Sequence, residues 1–272
     1  MAEPSDERTG RSSATAELDP RVLGPLVSSK LTTAIAHSVA PGFAALRGVR
    51  LSPVGHTCRD PFSGIGYNGS MDVAQLSSRF PKLWHVTFAG GFNGMQQQGL
   101  LRAVDVDPIG SQELRLDVKR IRTPSGTVTL RNQIRSRIDP TPNLDGVTPS
   151  QWWRLINGRV YFFCRRAQAE VLTQSYLQQN FDQEVIEFDT QSLLAQLNAQ
   201  VEITTVNAGV FPRAKGPTRG PATFIALSDL PLIDASKIKE ITVTQAFPLP
   251  ISSVVAVVRH ESHGGKAVLY PN

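Results

Sequence analysis

The chain has 272 residues, enough for one large domain with an extension, and its 40% hydrophobic and 19% charged residues are ordinary for a globular protein. Its net charge of +5 favours phosphate-rich partners such as nucleic acid or an anionic cofactor. An equal alternative is a mildly basic surface that binds no partner. The two cysteines, Cys58 and Cys164, are far apart and exclude a disulfide framework or a cysteine zinc site. The polar N-terminus and the lack of a run of about 20 apolar residues lead us to expect a cytoplasmic protein.

The first 70 residues differ in composition from the rest of the chain. Residues 1–19 are rich in serine, charged and small residues, which predicts a disordered tail. Residues 20–70 are interpreted as an N-terminal extension of unknown role, with apolar spacing that could give one or two short helices interrupted by Pro25 and Pro41. The predicted folded domain spans residues 71–272.

Three elements are predicted where that domain begins. Residues 72–80 have helical spacing of apolar residues, with Asp72 as the capping residue. The segment LWHVTF, 83–88, is rich in β-forming residues and predicts a strand. Residues 92–103 predict a second helix, with Gly99 near its end, where a left-handed residue is favoured.

A capping box, Thr148 to Gln151, predicts the start of a third helix, with proline in the first helical position and an end at Asn157-Gly158. A helix from about Gln168 to Gln178 and one over 191–197, capped by Thr190, follow. The mixture of strands and helices, without the repeated unit of a doubly wound sheet, predicts an α+β fold. The further predicted strands are 159–163, 184–189, 201–206, 240–247 and 253–258.

His85 and Thr87 form the first candidate pair of binding residues. They are two positions apart in a predicted strand, so both side chains face the same side of it, separated by about 7 Å along the strand. An imidazole and a hydroxyl in this arrangement can hydrogen-bond ribose hydroxyls and an amide. On spacing alone, a strand that shows these two side chains to solvent is the favoured alternative.

The other candidates stand further along the chain. Glu240 starts a predicted strand, where β-propensity disfavours glutamate, so it is either a catalytic carboxylate or a solvated strand end. Arg131 and Gln133 follow a β-like segment, and either could hold a diphosphate, as arginine's planar fork fits phosphate oxygens. Tyr161 and Phe162 are expected in the core, unless one ring faces a pocket and stacks on a heterocycle.

Basic residues are clustered in two stretches, and several catalytic motifs are missing. The sequence contains no G-x-S-x-G elbow, no H-E-x-x-H, no Walker lysine loop and no G-x-G-x-x-G that opens a helix. We therefore expect no bound metal. The first basic stretch contains Arg115, Lys119, Arg120, Arg122, Arg131, Arg135 and Arg137, and the second contains Arg213, Lys215 and Arg219.

Three blocks occur in the order found in DarT-type ADP-ribosyltransferases. LWHVTFAGGFNGMQQQGLL resembles their first strand, aromatic-His-x-Thr, with its helix. RVYFFCRRAQAEVL resembles their middle aromatic strand, and KEITVTQAFPLPISSVVAV resembles their C-terminal block, where a glutamate starts a strand. The stretch 72–260 also resembles a bacterial domain-of-unknown-function family, DUF7002, in its centre TPSQWWRLINGRVYFF and its Arg-Gly-x-x-Thr-Phe at 219–224.

The DarT resemblance implies an ADP-ribosyltransferase-like fold, with mixed or antiparallel sheets flanked by helices, and NAD as the co-substrate. His85 would bind the adenosine-side ribose, Arg131 would steady the phosphates or the reacting ribose, and an aromatic ring would wall the nicotinamide pocket. The implied catalytic residues are Glu240 and Arg131. The implied cofactor-binding residues are His85, Thr87, Arg131, Tyr161 and Phe162.

The resemblance and the basic clusters together imply a nucleic-acid base as the acceptor, in single-stranded DNA rather than RNA. Arg213, Lys215 and Arg219 are the expected substrate-binding residues, with a solvated turn as the alternative interpretation of their loop. Transfer to protein, RNA or a small molecule, or plain NAD hydrolysis, is the related alternative activity. A non-catalytic NAD or nucleic-acid binding module is the alternative of another class. The sequence leaves three roles open, namely a toxin, a phage-defence factor or a modification enzyme, and a toxin of this type would have an antitoxin partner.

Overall fold

The computed structural model describes residues 71–133, 140–195, 197, 200–209, 217–230 and 235–271. The predicted tail, 1–19, and the predicted extension, 20–70, lie outside the described residues. So do four residues of the two basic stretches, namely Arg135, Arg137, Arg213 and Lys215.

Two helices of the described part, the first and the fourth, begin where the capping signals predict. Asp72 and Thr148 each accept a hydrogen bond from the backbone of the residue three positions on, and the glutamine there, Gln75 or Gln151, completes a capping box. The helices are α1 (Val73–Arg79), α2 (Gly91–Gln98), α3 (Ala103–Val106), α4 (Pro149–Asn157), α5 (Arg166–Leu177) and α6 (Thr190–Leu194).

The strands form an eight-stranded sheet and a separate two-stranded hairpin, and every pair of neighbouring strands is antiparallel. The prediction of an α+β fold is therefore confirmed. The sheet has the order β10-β9-β5-β1-β4-β8-β6-β7, and β2 pairs with β3 in the hairpin. The strands are β1 (Lys82–Phe88), β2 (Lys119–Thr123), β3 (Gly126–Leu130), β4 (Val160–Phe163), β5 (Gln183–Asp189), β6 (Val201–Thr204), β7 (Ile225–Ala226), β8 (Glu240–Val243), β9 (Val254–His260) and β10 (Lys266–Tyr270).

Apolar residues cover the sheet on both faces. Alternation along the strands places Leu83, Phe162 and Ile241 on one face, where all three are fully buried in the main core cluster. A second cluster is built around Trp152 of α4, which stacks on Phe224 with 5.9 Å between the ring centroids. The strands that carry the candidate residues are thus held in place by packing on both sides.

Three predicted boundaries are corrected. Helix α2 ends at Gln98, because Gly99 adopts a left-handed φ of 78° and Leu100 then exchanges backbone hydrogen bonds with Phe247. Asp189, rather than Thr190, caps α6 by accepting from the backbone N–H of Ser192, while the Thr190 hydroxyl donates to the carbonyl of Phe80. Strand β8 is shorter than predicted and ends at Val243.

Four strands were not predicted: β2 and β3 of the hairpin, the short β7, and β10. The segment 261–265 turns the chain from β9 into β10. No helix among the described residues is long and apolar enough to cross a membrane.

Candidate active site

The sheet opens between its two central strands, β1 and β4. All seven residues of β1 pair with β5, whereas only Trp84 of β1 pairs with β4, opposite Phe163. Beyond that pair the imidazole of His85 takes the place of a backbone partner, with Nδ1 2.8 Å from the carbonyl oxygen of Tyr161. A continuous hydrogen-bond ladder would close the space between two strands, whereas an opening in the sheet leaves that space for a ligand.

His85 is held as a neutral hydrogen-bond acceptor. A carbonyl oxygen can only accept, so the Nδ1 that faces Tyr161 carries the proton and Nε2 keeps its lone pair. Burial lowers the pKa of His85 to about 4, against a smaller opposing effect of the Tyr161 hydrogen bond. The imidazole is therefore uncharged at neutral pH, and its Nε2 can accept a hydrogen bond from a hydroxyl group.

Thr87 follows on the same face of β1 and contacts the start of α2. A Cβ atom at Gly91 would overlap the Thr87 side chain, so glycine is required there for the close approach of helix and strand. The buried carboxylate of Glu184 accepts from the backbone N–H groups of Gly90, at 2.8 Å, and Phe92, at 2.9 Å. Arg259 completes this brace with a 2.7 Å ion pair to Glu184. The turn after β1 is thus tied to the neighbouring strands.

Glu240 is the buried carboxylate of the site, with 6% of its surface exposed. It stands at the first position of β8, and its Oε2 accepts from the backbone N–H of Ala208 at 3.1 Å and from the hydroxyl of Thr204 at 3.3 Å. Burial raises the pKa of Glu240 to about 7, although these hydrogen bonds and the charge of Arg219 oppose the rise. A carboxyl group with such a pKa can exchange a proton at neutral pH.

Arg219 lies in the interior beside Glu240 rather than on a surface loop. Only 4% of its surface is exposed, and its guanidinium donates to the carbonyl oxygens of Pro217, at 2.8 Å, and Asn207, at 3.1 Å. Because Ala208 follows Asn207, Arg219 positions the backbone N–H that binds Glu240. Of the three predicted substrate-binding residues, the structure describes this one alone and gives it a positioning role.

Tyr161 and Phe162 point to opposite sides of β4. Phe162 is fully buried in the main core, so it cannot form a wall of a ligand site. Tyr161 is half-buried, and its buried hydroxyl has no hydrogen-bond partner among the described residues. Burial and then the charge of Glu240 raise the pKa of Tyr161 well above its usual value. Tyr161 therefore remains the candidate aromatic residue of this strand.

Arg131 is a half-buried cation that contacts two aromatic rings. Its guanidinium carbon lies 4.8 Å from the ring centre of Phe88 and 4.5 Å from that of Tyr176. Nη2 donates to Gln183 at 2.8 Å, while the buried Nη1 has no partner in the described part of the chain. Burial lowers the pKa of Arg131. The guanidinium nevertheless stays charged, because the usual pKa of arginine is far above neutral pH. By contrast, the side-chain oxygen of Gln133 accepts a hydrogen bond from the backbone N–H of Arg115, which indicates a structural role for Gln133.

A cavity of about 1650 Å³ brings the candidate residues together. It exceeds the roughly 300–1,000 Å³ of ordinary small-molecule sites, so it has room for a large ligand together with a second reactant. Glu240 is the one acidic residue among the described residues that line it. The candidate residues that line the cavity are His85, Thr87, Arg131, Gln133, Tyr161 and Glu240, and its basic residues are Arg115, Arg120, Arg122, Arg131, Arg159 and Lys239.

The position of the opening explains how two distant residues share this cavity. Phe163 pairs with both Trp84 and Glu240, so alternation sends the side chains of Glu240 and His85 to opposite faces of the sheet. Both nevertheless line the cavity, since the strands between them part after a single pair. The cavity thus contacts side chains from both faces of the sheet.

Sequence reasoning missed two features of this site. The brace at Glu184 has no local signal, because its partners come from the turn after β1, from α2 and from β9. The β2–β3 hairpin could have been predicted: a turn-forming Pro124-Ser125-Gly126 stands between two runs rich in β-branched residues.

Comparison with known proteins assigns the chain to a family but not to an activity. No curated protein matches it. Residues 81–254 match a family of unknown function, DUF7002, and these residues include the strands that carry His85, Tyr161 and Glu240. The match covers more than half of the chain, which therefore belongs to the DUF7002 family.

Proposed function

We propose that this protein is an NAD-dependent mono-ADP-ribosyltransferase that modifies a nucleic-acid base in single-stranded DNA. The observation that carries the proposal is one cavity, lined by a neutral histidine, a tyrosine, several cations and one buried carboxylate. An antiparallel sheet that opens between its central strands also supports an ADP-ribosyltransferase-like arrangement, the finer description of the fold.

The cavity residues fit the parts of NAD. Nε2 of His85 is free to accept a hydrogen bond from a ribose hydroxyl, with the Thr87 hydroxyl beside it on the same face. Nη1 of Arg131, which has no partner among the described residues, is a donor suited to a phosphate oxygen. Tyr161 offers a ring and a hydroxyl without a partner in the described part of the chain, on the side of the opening where Glu240 lies.

Glu240 has the properties that glycosyl transfer requires. Cleavage of the bond between nicotinamide and ribose leaves positive charge on the sugar, as in the oxocarbenium-like transition state of glycoside hydrolysis. Ionised Glu240 stabilises that charge, and the surrounding burial strengthens the interaction because few water molecules screen it. When a nitrogen of the acceptor base attacks the sugar carbon, the carboxylate can take up the proton that the base releases.

The direct test uses NAD labelled in its adenylate phosphate, incubated with the purified protein and with single-stranded DNA, RNA or a protein mixture. We expect the label on DNA, in a bond that survives protease treatment. Label on protein alone would remove DNA as the acceptor, and release of nicotinamide without any labelled acceptor would instead indicate NAD hydrolysis. Absence of any NAD turnover would contradict the proposal as a whole.

Replacement of His85 by alanine should weaken NAD binding by about ten-fold, because a desolvated hydrogen-bonding group is lost from the cleft. Isothermal titration of NAD into both proteins measures the change. The matched control is His263→Ala, which removes an exposed histidine outside the cavity and should leave the affinity unchanged. An unchanged NAD affinity in a folded His85→Ala protein would separate this residue from the ligand.

A further inference from the structure

The β2–β3 hairpin has two chemically different faces. Its five residue pairs place Arg120 opposite Thr129 and Arg122 opposite Thr127, so these four side chains share one face. The other face carries Ile121 and is turned towards the molecule: there the Thr123 hydroxyl donates to the side chain of Gln98 in α2, at 2.8 Å. The hairpin is thus anchored on one face and polar on the other.

The polar face borders the cavity at its open side. All four of its residues line the cavity, and both arginines are exposed. Arginines two positions apart on a strand are about 7 Å apart, a distance comparable to the separation of neighbouring phosphates along an extended nucleic-acid strand. The two threonine hydroxyls beside them are further donors to phosphate oxygens.

The charges of Arg120 and Arg122 are not neutralised by any acidic residue within the described part of the chain. Neither guanidinium has an ion pair or a side-chain hydrogen bond there, in contrast to their neighbour Lys119, which forms a 2.5 Å ion pair with Asp107. Arg159, another basic residue of the cavity, is also neutralised, by Glu202 at 2.7 Å. Two uncompensated cations at the margin of a site attract an anionic ligand from solution.

We infer that the face formed by Arg120, Arg122, Thr127 and Thr129, here called the hairpin face, binds the phosphate backbone of the single-stranded acceptor. This inference rests on the proposed function, and it assigns the acceptor to the β2–β3 hairpin instead of Arg219. The exposed position favours a strand that passes across the opening over a diphosphate enclosed in the cavity, where Arg131 already offers a donor.

The test is a binding titration without NAD, so its result does not depend on transfer activity. A fluorescein-labelled oligothymidylate of about 12 nucleotides matches the length that a single-strand binding site covers. Fluorescence anisotropy gives its affinity for the parent and for Arg120→Gln/Arg122→Gln between about 50 and 300 mM salt. The variant should reduce the slope of log K against log salt by about 1.4, since each lost contact with a single strand contributes about 0.7. The same relation predicts an affinity about 25-fold lower at 0.1 M salt.

Two comparisons make the result specific. Arg154→Gln/Lys266→Gln removes the same number of charges from exposed residues outside the cavity and should keep the parental slope. NAD affinity, measured by calorimetry, should stay within two-fold of the parent in the hairpin variant. An unchanged oligonucleotide slope, or an equal loss of NAD affinity, would overturn the assignment of this face to the acceptor. Failure of the proposed function would instead appear as lack of NAD turnover by the parent protein, with the oligonucleotide titration unaffected.

Discussion

Replacement of Glu240 by glutamine is expected to slow ADP-ribose transfer by about a thousand-fold, the upper range for loss of one preorganised electrostatic group. The glutamine side chain is isosteric and can still accept hydrogen bonds from Thr204 and Ala208, so the loop and strand should remain in place. What the variant lacks is the negative charge that would stabilise the sugar cation. NAD affinity should therefore change by only a few-fold, because the ribose carries positive charge only in the transition state.

The measurement is a single-turnover rate with labelled NAD, together with calorimetric NAD binding. Glu187→Gln is the matched control: Glu187 lies on β5 of the same sheet, is half-buried, and does not line the cavity. Its rate should equal that of the parent. A Glu240→Gln protein that transfers ADP-ribose at the parental rate would remove Glu240 from the chemistry, and the reading of this cavity as an active site would fail with it.

The second large effect concerns stability and pH. Glu240 has a pKa of about 7 in the folded protein, against a usual value of 4.5, so the folded state holds this proton more tightly than the unfolded state. The corresponding stabilisation is complete below about pH 4.5 and is lost as the pH rises through 7. Ionisation of the folded protein thus costs about 3 kcal/mol more than ionisation of the unfolded chain. Glutamine has no proton to lose. The free energy of unfolding of the variant, relative to that of the parent, should therefore increase by this amount when the pH is raised from acid to alkaline.

Urea unfolding at about pH 4.5 and pH 8 measures that difference. The free energy of unfolding of Glu240→Gln, minus that of the parent, should be about 3 kcal/mol larger at the higher pH. Other titrating groups affect both proteins alike and cancel in the comparison. A difference independent of pH would show that folding does not raise the pKa of Glu240, and the proposed proton exchange at neutral pH would lose its support.

Local signals predicted most of the elements that carry the site. The capping boxes at Asp72 and Thr148 give the starts of α1 and α4, because backbone N–H groups at a helix start need nearby acceptors. The strand with His85 and the strand that starts at Glu240 were both found from their content of β-forming residues. The failures have local causes too: Gly99 ends α2 early, and the hairpin turn at 124–126 went unrecognised as such.

The candidate site was predictable only as a set of residue types. His85, Arg131, Tyr161 and Glu240 were candidates from the sequence, and the structure brings all four to one cavity. Their neighbour Phe162 was an equal candidate, and a single step along the strand separates it from Tyr161. Which of the two reaches the cavity depends on the faces that the core clusters cover, and these are formed by segments far away in the chain.

By itself, then, the sequence determined the α+β class, the main strands and helices, and the chemical groups at hand, since these follow from propensity and capping within a few residues. Tertiary structure alone decided the gap between β1 and β4, the neutral state of His85 and the raised pKa of Glu240. Those properties arise from desolvation and from hydrogen bonds to residues that are tens of positions distant. Electrostatic character at a buried site is a property of the packed neighbours, and no short stretch of sequence contains them.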